Sequence, residues 1–230
     1  LAAPGIFALV ASSISSFGVE MFQGIWKYLL VVAIGLLIQF VVIYPLMLKI
    51  FSKVSVSKLY GAITEAVMVA FGTASSSATL PLTITCCEKR GISSKICSFV
   101  LPLGATLNMD GTALVQTIAV IFLTQAYGIE LSALVIVQIA FLAIVASSTC
   151  AGIPGAGLIT IALVLNGIGL TPEQMVVGFS FLFALDRFTD MLRTTANVTS
   201  DAVVAAIIAD NANEINYELF NNPELQKDII

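Results

Sequence analysis

The chain alternates long apolar runs with short polar loops. Residues 28–51 form one such run, long enough to cross a bilayer, which takes roughly 20 residues. The run ends in a basic loop that carries Lys49, Lys53 and Lys58. Because Lys and Arg collect on the cytoplasmic side of membranes, we place this loop in the cytoplasm.

The next apolar stretch, residues 60–88, is interrupted by the polar segment 72–81, which contains three consecutive serines at 75–77. A second basic loop follows it. If the stretch crossed the membrane once, one of the two basic loops would lie outside, so we predict a hairpin that enters from the cytoplasm and returns. Each arm is then about half a crossing long, and the polar tip at membrane depth must line a cavity.

Residues 131–166 repeat this pattern in the opposite sense. Their apolar run is broken at 146–157 by a segment rich in small and polar residues. The loops on both sides contain neither Lys nor Arg, so we place both outside the cell. The second hairpin therefore enters from outside.

Each hairpin precedes an apolar segment with polar groups in its middle, at 108–112 after the first and at 186–201 after the second. We therefore predict an all-α polytopic membrane protein, an inverted repeat of re-entrant helical hairpins plus broken transmembrane helices. Such repeats point to a transporter whose binding site lies where the broken helices meet.

Three segments follow from this pattern. Residues 1–26 are predicted to be a scaffold-type transmembrane helix at the end of a truncated scaffold, and residues 27–210 a transport domain with hairpins at about 60–88 and 131–166. Residues 211–230 are polar and acidic, which predicts a disordered cytoplasmic tail. The chain opens on an uncharged apolar run without a cleavage site, so we expect a longer protein with an N-terminal half before it.

Composition narrows the class of protein. Of the 230 residues, 58% are hydrophobic and 10% are charged, with a mean hydropathy of +1.02, which is more apolar surface than a soluble core buries. The net charge of −4 argues against nucleic acid, and the absence of His against metal-dependent hydrolysis. The four cysteines lack metal-ligand spacing and are interpreted as small buried residues. We predict no cofactor and no enzymatic activity.

The strongest chemical signal is a polar stripe in the last apolar segment. At about 100° per residue, five polar groups fall within an arc of roughly 80° on one helix face. They are Asp186, Asp190, Arg193, Asn197 and Asp201. Ionisable groups at membrane depth are expensive and mark functional sites by default. The alternative is an ion pair of Arg193 with Asp186 or Asp190 that only holds helices together.

These side chains suit a zwitterion with an additional carboxylate. A guanidinium binds a carboxylate as a fork, and an aspartate accepts from an ammonium group. Asn108, Asp110, Asn197 and Asp201 offer hard oxygen ligands, which favour a small cation, with sodium the best fit for a transporter. Residues 108–112 have the alternative interpretation of a glycine kink with a capping aspartate.

The two hairpin tips suit binding and gating. Free N–H groups of the serine tip can bind a carboxylate, and the glycine-rich tip at 152–157 has the hinge freedom that a gate needs. The alternative is a pair of turns with small packing residues.

At these positions the chain resembles the glutamate transporter family, the dicarboxylate and amino acid:cation symporters. The resemblance covers residues 4–210, which correspond to the family's fifth through eighth helices. It is carried by the serines at 75–77, Asn108-Met-Asp110-Gly-Thr112, Gly152-Ile-Pro-Gly-Ala-Gly157 and Asp190-Met-Leu-Arg193-Thr-Thr-Ala-Asn197-Val-Thr-Ser-Asp201. It implies sodium-coupled symport of aspartate or glutamate by an elevator motion, in a homotrimer embedded in a lipid bilayer. We expect a multi-pass protein of a bacterial-type inner membrane.

The resemblance also implies roles for single residues. Arg193 with Thr112 would hold the substrate side-chain carboxylate, and Asp190 the amino group. The rest of the substrate set would be Ser76 and Asn197 on the α-carboxylate, the backbone of Ile153 and Gly157 above the substrate, and Thr194.

Three sodium positions are implied in the same way. The first would use the Gly104 carbonyl with Asn108, Asn197 and Asp201. The second would use Thr106 with the carbonyls of Ser147, Ser148 and Cys150. The third would use Asn108 and Asp110.

The chain departs from the family at three places. Some relatives carry an arginine before the hairpin serines, and others carry it after the Asp190 position, where this chain has Ala74 and Met191. Arg187 is a candidate substitute. The usual glycine before the last aspartate is Ser200, which we expect to tighten helix packing.

Other functions stay open at this point. A proton-coupled carrier of acidic amino acids, a C4-dicarboxylate carrier and a neutral amino acid carrier belong to the same family. Neutral carriers generally lack the arginine at position 193, and a substrate without an amino group would leave Asp190 unpaired. An intramembrane protease lacks a base beside Ser76, and a channel lacks a ring of like charges.

Overall fold

The computed structural model describes residues 20–166 and 170–222, and these residues are almost entirely helical. We number the helices α1 to α10, with a π-helical segment between α1 and α2. Their bounds are α1 Glu20–Ile38, the π segment Gln39–Ile43, α2 Tyr44–Phe51, α3 Val56–Thr73, α4 Ser76–Lys89, α5 Ser94–Leu107, α6 Asp110–Ala126, α7 Ala133–Ser148, α8 Ala156–Asn166, α9 Pro172–Asn211 and α10 Tyr217–Asn221. Within the described ranges the chain has no strand, only one isolated bridge between Ile92 and Ile215. The all-α prediction is confirmed for this part of the chain.

The first helix changes register before it ends. The Tyr44 N–H donates to the Gln39 carbonyl, five residues back, which is the π-helical pattern. Pro45 follows and has no N–H to offer a regular helix, so the α-helical ladder is weakened at this point. The wider turn points the side chains of Gln39 and Tyr44 toward the same residue, Asp110.

Helices α3 and α4 form the first hairpin and pack side by side. Its turn is short because Ala74 adopts a left-handed conformation, with φ 51° and ψ 37°, which non-glycine residues rarely adopt. Ser75 then caps α4 by accepting a hydrogen bond from the Ala78 N–H at 3.1 Å. The serine tip is therefore the start of a helix.

The predicted break at 108–112 is confirmed. Helix α5 ends at Leu107, Asn108 and Met109 leave the helical conformation, and α6 begins at Asp110. Backbone groups freed by such a break are available for side chains and ligands.

Helices α7 and α8 form the second hairpin, and their connection is longer. Ser132 caps α7, and all seven residues at 149–155 lie outside regular helices, with Gly155 at φ 77°. A positive φ of this size favours glycine, so this turn depends on Gly155.

Helix α9 is the central element of the fold. Thr171 and Gln174 form a capping box at its start, and Pro172 occupies the first turn, where no N–H is needed. The helix has 40 residues, about 60 Å at 1.5 Å per residue. Every residue from 193 to 203 is buried, so neighbours cover this part of α9 on all sides.

Two apolar clusters pack on opposite halves of α9. One contains the first hairpin, α2, α5 and the second half of α9, with Leu59, Leu101 and Val203 fully buried. The other contains α1, α6, the second hairpin and the first half of α9, with Val32, Leu123 and Ile139 fully buried. The polar stripe lies where these two clusters meet.

The prediction of a disordered tail is wrong for residues 212–222. Helix α10 packs its Phe220 into the first cluster with 1% of the residue exposed. The Arg90 guanidinium lies 5.5 Å from the Phe220 ring centre, which fits a cation–π contact. Hydrogen bonds from Ser93 and Lys95 hold the pKa of Glu214 below its ordinary value. Residues 223–230 lie outside the described part of the chain.

The predicted segment boundaries meet the structure only in part. Residues 1–19 of the predicted scaffold helix lie outside the described residues, and the boundary at residue 26 falls inside α1. The hairpin arms have 18, 14, 16 and 11 residues, so all are longer than half of a roughly 20-residue crossing. By length and composition, two stretches of described helix could span a membrane, Gly24–Phe51 and Ser94–Ala126.

Candidate functional site

The tips of the two hairpins meet each other. The Ser75 hydroxyl donates to the Gly152 carbonyl at 2.7 Å, and the Ser77 N–H donates to the same oxygen at 3.1 Å. Gly152 also lies against the Ala105 carbonyl near the end of α5, and a Cβ there would meet this oxygen at 3.0 Å. The tips thus converge where α5 breaks off.

A small polar cavity lies under the joined tips. Its volume is about 10 Å³, which is about the space that a single water molecule requires. All eight residues predicted to bind substrate line it, namely Ser76, Thr112, Ile153, Gly157, Asp190, Arg193, Thr194 and Asn197. The structure brings the set together in a closed arrangement, and the roles of its members stay predictions.

The charged part of the stripe is a buried triad. Arg193 Nη2 lies 2.9 Å from Asp190 Oδ1 and 3.3 Å from Asp186 Oδ1. Arg193 Nε also donates to Asp190 Oδ1 at 2.9 Å. The residues are 4%, 4% and 8% exposed for Arg193, Asp190 and Asp186, so one guanidinium serves two carboxylates away from bulk solvent. The ion pair is therefore present, but its three members all lie on α9, so it does not hold two helices together as the alternative required.

The second hairpin closes directly on this triad. The Gly155 N–H donates to Asp190 Oδ2 at 2.7 Å. Gly157 lies so close to the Arg193 guanidinium that an added Cβ would overlap it. The Gln116 amide nitrogen holds the same glycine by donating to the Gly157 carbonyl at 3.0 Å.

Asn197 connects the stripe to the start of α6. Its side-chain oxygen accepts from the Gly111 N–H at 2.8 Å, and its nitrogen donates to the Thr112 hydroxyl at 3.0 Å. The first turn of α6 has free N–H groups, so an amide oxygen is a natural partner there. In this arrangement the Asn197 oxygen already accepts hydrogen bonds from the first turn of α6.

The first predicted sodium set is partly assembled around Asp201. The Asn108 amide nitrogen donates to Asp201 Oδ1 at 2.9 Å. Gly104 packs on the same carboxylate, since a Cβ at Gly104 would lie 2.5 Å from Asp201 Oδ1. Only a glycine fits at this distance.

Asp110 of the third sodium set has polar partners from three other elements, the π segment, α2 and α9. Its Oδ2 accepts from the Tyr44 hydroxyl at 2.8 Å and lies 3.5 Å from the Gln39 amide nitrogen. Its Oδ1 accepts from the Ser200 hydroxyl at 2.9 Å. The π-helical segment described above therefore has a visible consequence, because it directs both Gln39 and Tyr44 at one carboxylate.

The second predicted sodium set is less clearly assembled. The exposed Thr106 donates its hydroxyl to the Leu103 carbonyl at 2.9 Å. The Ser147 carbonyl accepts from the Cys150 N–H at 2.9 Å, and the Ser148 hydroxyl donates to the Ile144 carbonyl. In the described ranges no cluster of three or more His, Cys, Asp or Glu side chains could hold a metal ion.

Sequence reasoning missed several residues around the site. Tyr44, Gln39 and Gln116 were not singled out, and Ser200 was assigned only to packing. Polar residues at 39 and 44 inside a long apolar run were the available signal. Arg187, the candidate substitute for a family arginine, is exposed and donates to the Gly72 carbonyl at 3.3 Å, near the first hairpin tip.

Hairpin tips that meet over a buried charged cavity, beside a broken helix, define the class of secondary transporters with sites between broken helices. A sequence model of the sodium:dicarboxylate symporter family matches residues 1–211. The chain belongs to this family, which confirms the resemblance. The family is one of transporters rather than enzymes, and its members are membrane proteins.

Several relatives are similar over most of this chain. A putative sodium-dependent excitatory amino acid transporter of Caenorhabditis elegans is 41% identical over 208 residues, 89% of this chain and 41% of that protein. Excitatory amino acid transporter 1 of Homo sapiens is 41% identical over 182 residues, 79% of this chain and 33% of that protein. Excitatory amino acid transporter 4 of Rattus norvegicus is 42% identical over 79% of this chain and 32% of that protein. The chain spans about a third to two fifths of the length of these relatives.

Proposed function

We propose that the parent protein couples the uptake of acidic amino acids to sodium entry, and that this chain supplies its substrate and cation sites. The observation that carries the proposal is the buried Arg193, held between Asp186 and Asp190 under two joined hairpin tips. Relatives whose names describe sodium-dependent excitatory amino acid transporters support it.

The triad suits an acidic amino acid. A guanidinium fork matches the side-chain carboxylate of aspartate or glutamate, and Asp190 matches its ammonium group. We assign the α-carboxylate to Asn197 and Ser76, which line the cavity beside the start of α4, where a helix N-terminus favours an anion. When substrate binds, its charged groups take over contacts that Arg193 and Asp190 make with each other.

Substrate entry requires the second hairpin to move. The cavity holds about one water, so an amino acid has no room until the Gly155–Asp190 hydrogen bond opens. The glycines of this tip give the backbone freedom that such a hinge uses. We propose the second hairpin as the gate, and the first hairpin as the other wall of the site.

Sodium completes the charge balance. Asp110 and Asp201 receive hydrogen bonds from hydroxyl and amide donors, without a Lys or Arg among those donors. Buried carboxylates without a cationic partner are costly, and sodium accepts carboxylate, amide and carbonyl oxygens as ligands. The re-entrant arrangement of the hairpins, the homotrimer and the elevator motion belong to the same proposal.

Calorimetry on the full-length parent tests the proposal. L-aspartate should bind in sodium and not in choline. Equal binding in both salts would indicate that protons, rather than sodium, are the coupling ion. No binding in either salt would favour neutral amino acids or dicarboxylates as substrates.

Arg193→Cys should abolish aspartate binding, because the substrate carboxylate loses its partner, and should admit neutral amino acids. Arg187→Cys is the matched control, since Arg187 is exposed and donates to the Gly72 carbonyl, while its neighbour Arg193 binds the two aspartates. Unchanged aspartate affinity in Arg193→Cys would refute the role given to Arg193.

A further inference from the structure

We propose that the Ser200 hydroxyl couples the two carboxylates of the proposed cation sites, so that a cation at one favours a cation at the other. The inference rests on the proposed function and adds a residue that the sequence assigned only to packing. Its basis is the position of one hydroxyl group between Asp110 and the Asn108–Asp201 pair.

These four side chains form one continuous hydrogen-bonded chain. Ser200 Oγ donates to Asp110 Oδ1 at 2.9 Å and accepts from Asn108 Nδ2 at 2.6 Å. The same Asn108 nitrogen donates to Asp201 Oδ1 at 2.9 Å. Ser200 is 4% exposed, so bulk water does not replace these partners.

The Ser200 hydroxyl has a second acceptor to which it can donate its single proton. The Asn197 carbonyl oxygen lies 3.3 Å from Ser200 Oγ, in the same helix. Rotation of the hydroxyl therefore moves the proton from Asp110 to Asn197, and it leaves a lone pair facing Asp110. A hydroxyl is able to do this because it combines one donor with two acceptor positions.

A cation on Asp110 favours the rotated state. The positive ion replaces the hydroxyl proton at Oδ1, and the exposed lone pair of Ser200 becomes an additional oxygen ligand. The proton stays satisfied on the Asn197 carbonyl, so no buried donor is lost.

A cation between Asn108 and Asp201 favours the same state. To present its oxygen to the ion, the Asn108 amide must turn its nitrogen away from Asp201, and this withdraws the donor from Ser200. The lone pairs of Ser200 are then free to face a cation on the Asp110 side. Both ions thus select one orientation of Ser200, and two ligands that prefer the same state bind cooperatively.

The test is the sodium dependence of thermal stability of the full-length parent, measured without amino acid and compared with Ser200→Ala. We expect Ser200→Ala to need at least about fivefold more sodium for half of the stabilisation, the lower end of typical coupling between sites. Its sodium curve should also be shallower. Ser200→Thr keeps the hydroxyl and should restore the steepness.

Ser180→Ala is the matched control. Ser180 is buried in the same helix, but its hydroxyl donates to the Val176 carbonyl at 2.8 Å, away from the carboxylates. It should leave the sodium curve unchanged. If Ser200→Ala does not fold, Ser200→Gly replaces it, since glycine also lacks the hydroxyl.

The outcomes separate this inference from the proposed function. If sodium stabilises the parent but aspartate does not bind, the proposed substrate is wrong. The coupling by Ser200 is still supported in that case, provided that the variants behave as expected. A Ser200→Ala curve as steep as that of the parent overturns the inference, even if aspartate binds. If the thermal stability of the parent does not depend on sodium, both the proposed function and this inference are wrong.

Discussion

Arg193 is the residue on which the electrostatics of the site depends. Four buried or half-buried carboxylates surround the site, and Arg193 is the basic group among them, so one positive charge faces four negative ones when all are ionised. The carboxylates are Asp110, Asp186, Asp190 and Asp201. An acidic amino acid adds a further net negative charge. Under the proposed function the site needs cations to accept such a substrate, which gives a physical reason for coupled transport.

Gly157 is a sharp test of this geometry. Gly157→Ala places a methyl group into the Arg193 guanidinium, which must shift away from its carboxylate partners. Overpacking of this kind costs about 1–3 kcal/mol, so aspartate affinity should fall by about 5- to 150-fold in calorimetry. Gly61→Ala is the control, because a Cβ there meets no atom within 4 Å, and it should bind aspartate as the parent does.

At this scale the sequence predicts one helix face well and its partners poorly. The stripe from Asp186 to Asp201 follows from the helical period alone, and the structure buries all five of its members. The partners of Asp110 come from residues about 70 and 90 positions away, Tyr44 and Ser200. Such contacts depend on how helices pack, and no local period encodes them.

The two hairpins act as one unit because their tips are bonded to each other. Ser75 has two roles in this contact, since it caps α4 and also donates to the Gly152 carbonyl of the other tip. The first hairpin tip is thereby held against the proposed gate. Opening the gate must break or rearrange this contact.

Ser75→Ala should destabilise the protein more than the loss of an ordinary cap. The lost cap costs about 1 kcal/mol, and the lost bond to Gly152 adds roughly 0.5–1.5 kcal/mol. Ser132→Ala removes a cap of similar type from α7, where the Ser132 hydroxyl accepts from the Val135 N–H of its own helix. Thermal unfolding of both variants compares them. Equal losses of stability would contradict a role for Ser75 between the tips.

Element boundaries show which local signals are reliable. Thr171, Pro172 and Gln174 mark the start of α9 in the sequence, and the structure uses all of them. The break between α5 and α6 was visible because Asn and Asp interrupt an apolar run. The π-helical segment was not visible, since its side-chain pattern is apolar on all sides apart from Gln39. The arms of 18, 14 and 16 residues are longer than the predicted half crossing, and the fourth arm, with 11 residues, is close to it.

At the scale of the molecule, the two apolar clusters are joined through α9. The C-terminal segment closes the first cluster by inserting Phe220 beneath the loop that leads into α5. The Ser93 N–H donates to the Glu214 carbonyl and the Asn216 N–H to the Gly91 carbonyl, at 3.0 and 2.8 Å. Residues 212–222 are therefore part of the folded unit, although their composition resembles a tail.

Phe220→Ala should show how much the docked C-terminal segment contributes to stability. Truncating a fully buried phenylalanine costs about 3–5 kcal/mol, so the unfolding midpoint of the full-length parent should fall clearly. Phe99→Ala is the control of the same chemistry, because Phe99 is 70% exposed, and it should change the midpoint little. A midpoint unaffected by Phe220→Ala would mean that the segment is not docked in solution.

The complete burial of residues 193–203 has a consequence for the history of this chain. A helix with one solvent-facing side accumulates neutral substitutions on that side, every third or fourth residue. This part of α9 has no such side, so we expect no position in it at which substitutions are neutral. The rate of amino-acid substitution should be low at all eleven consecutive residues. It should not show the period of three to four residues that is typical of amphipathic helices.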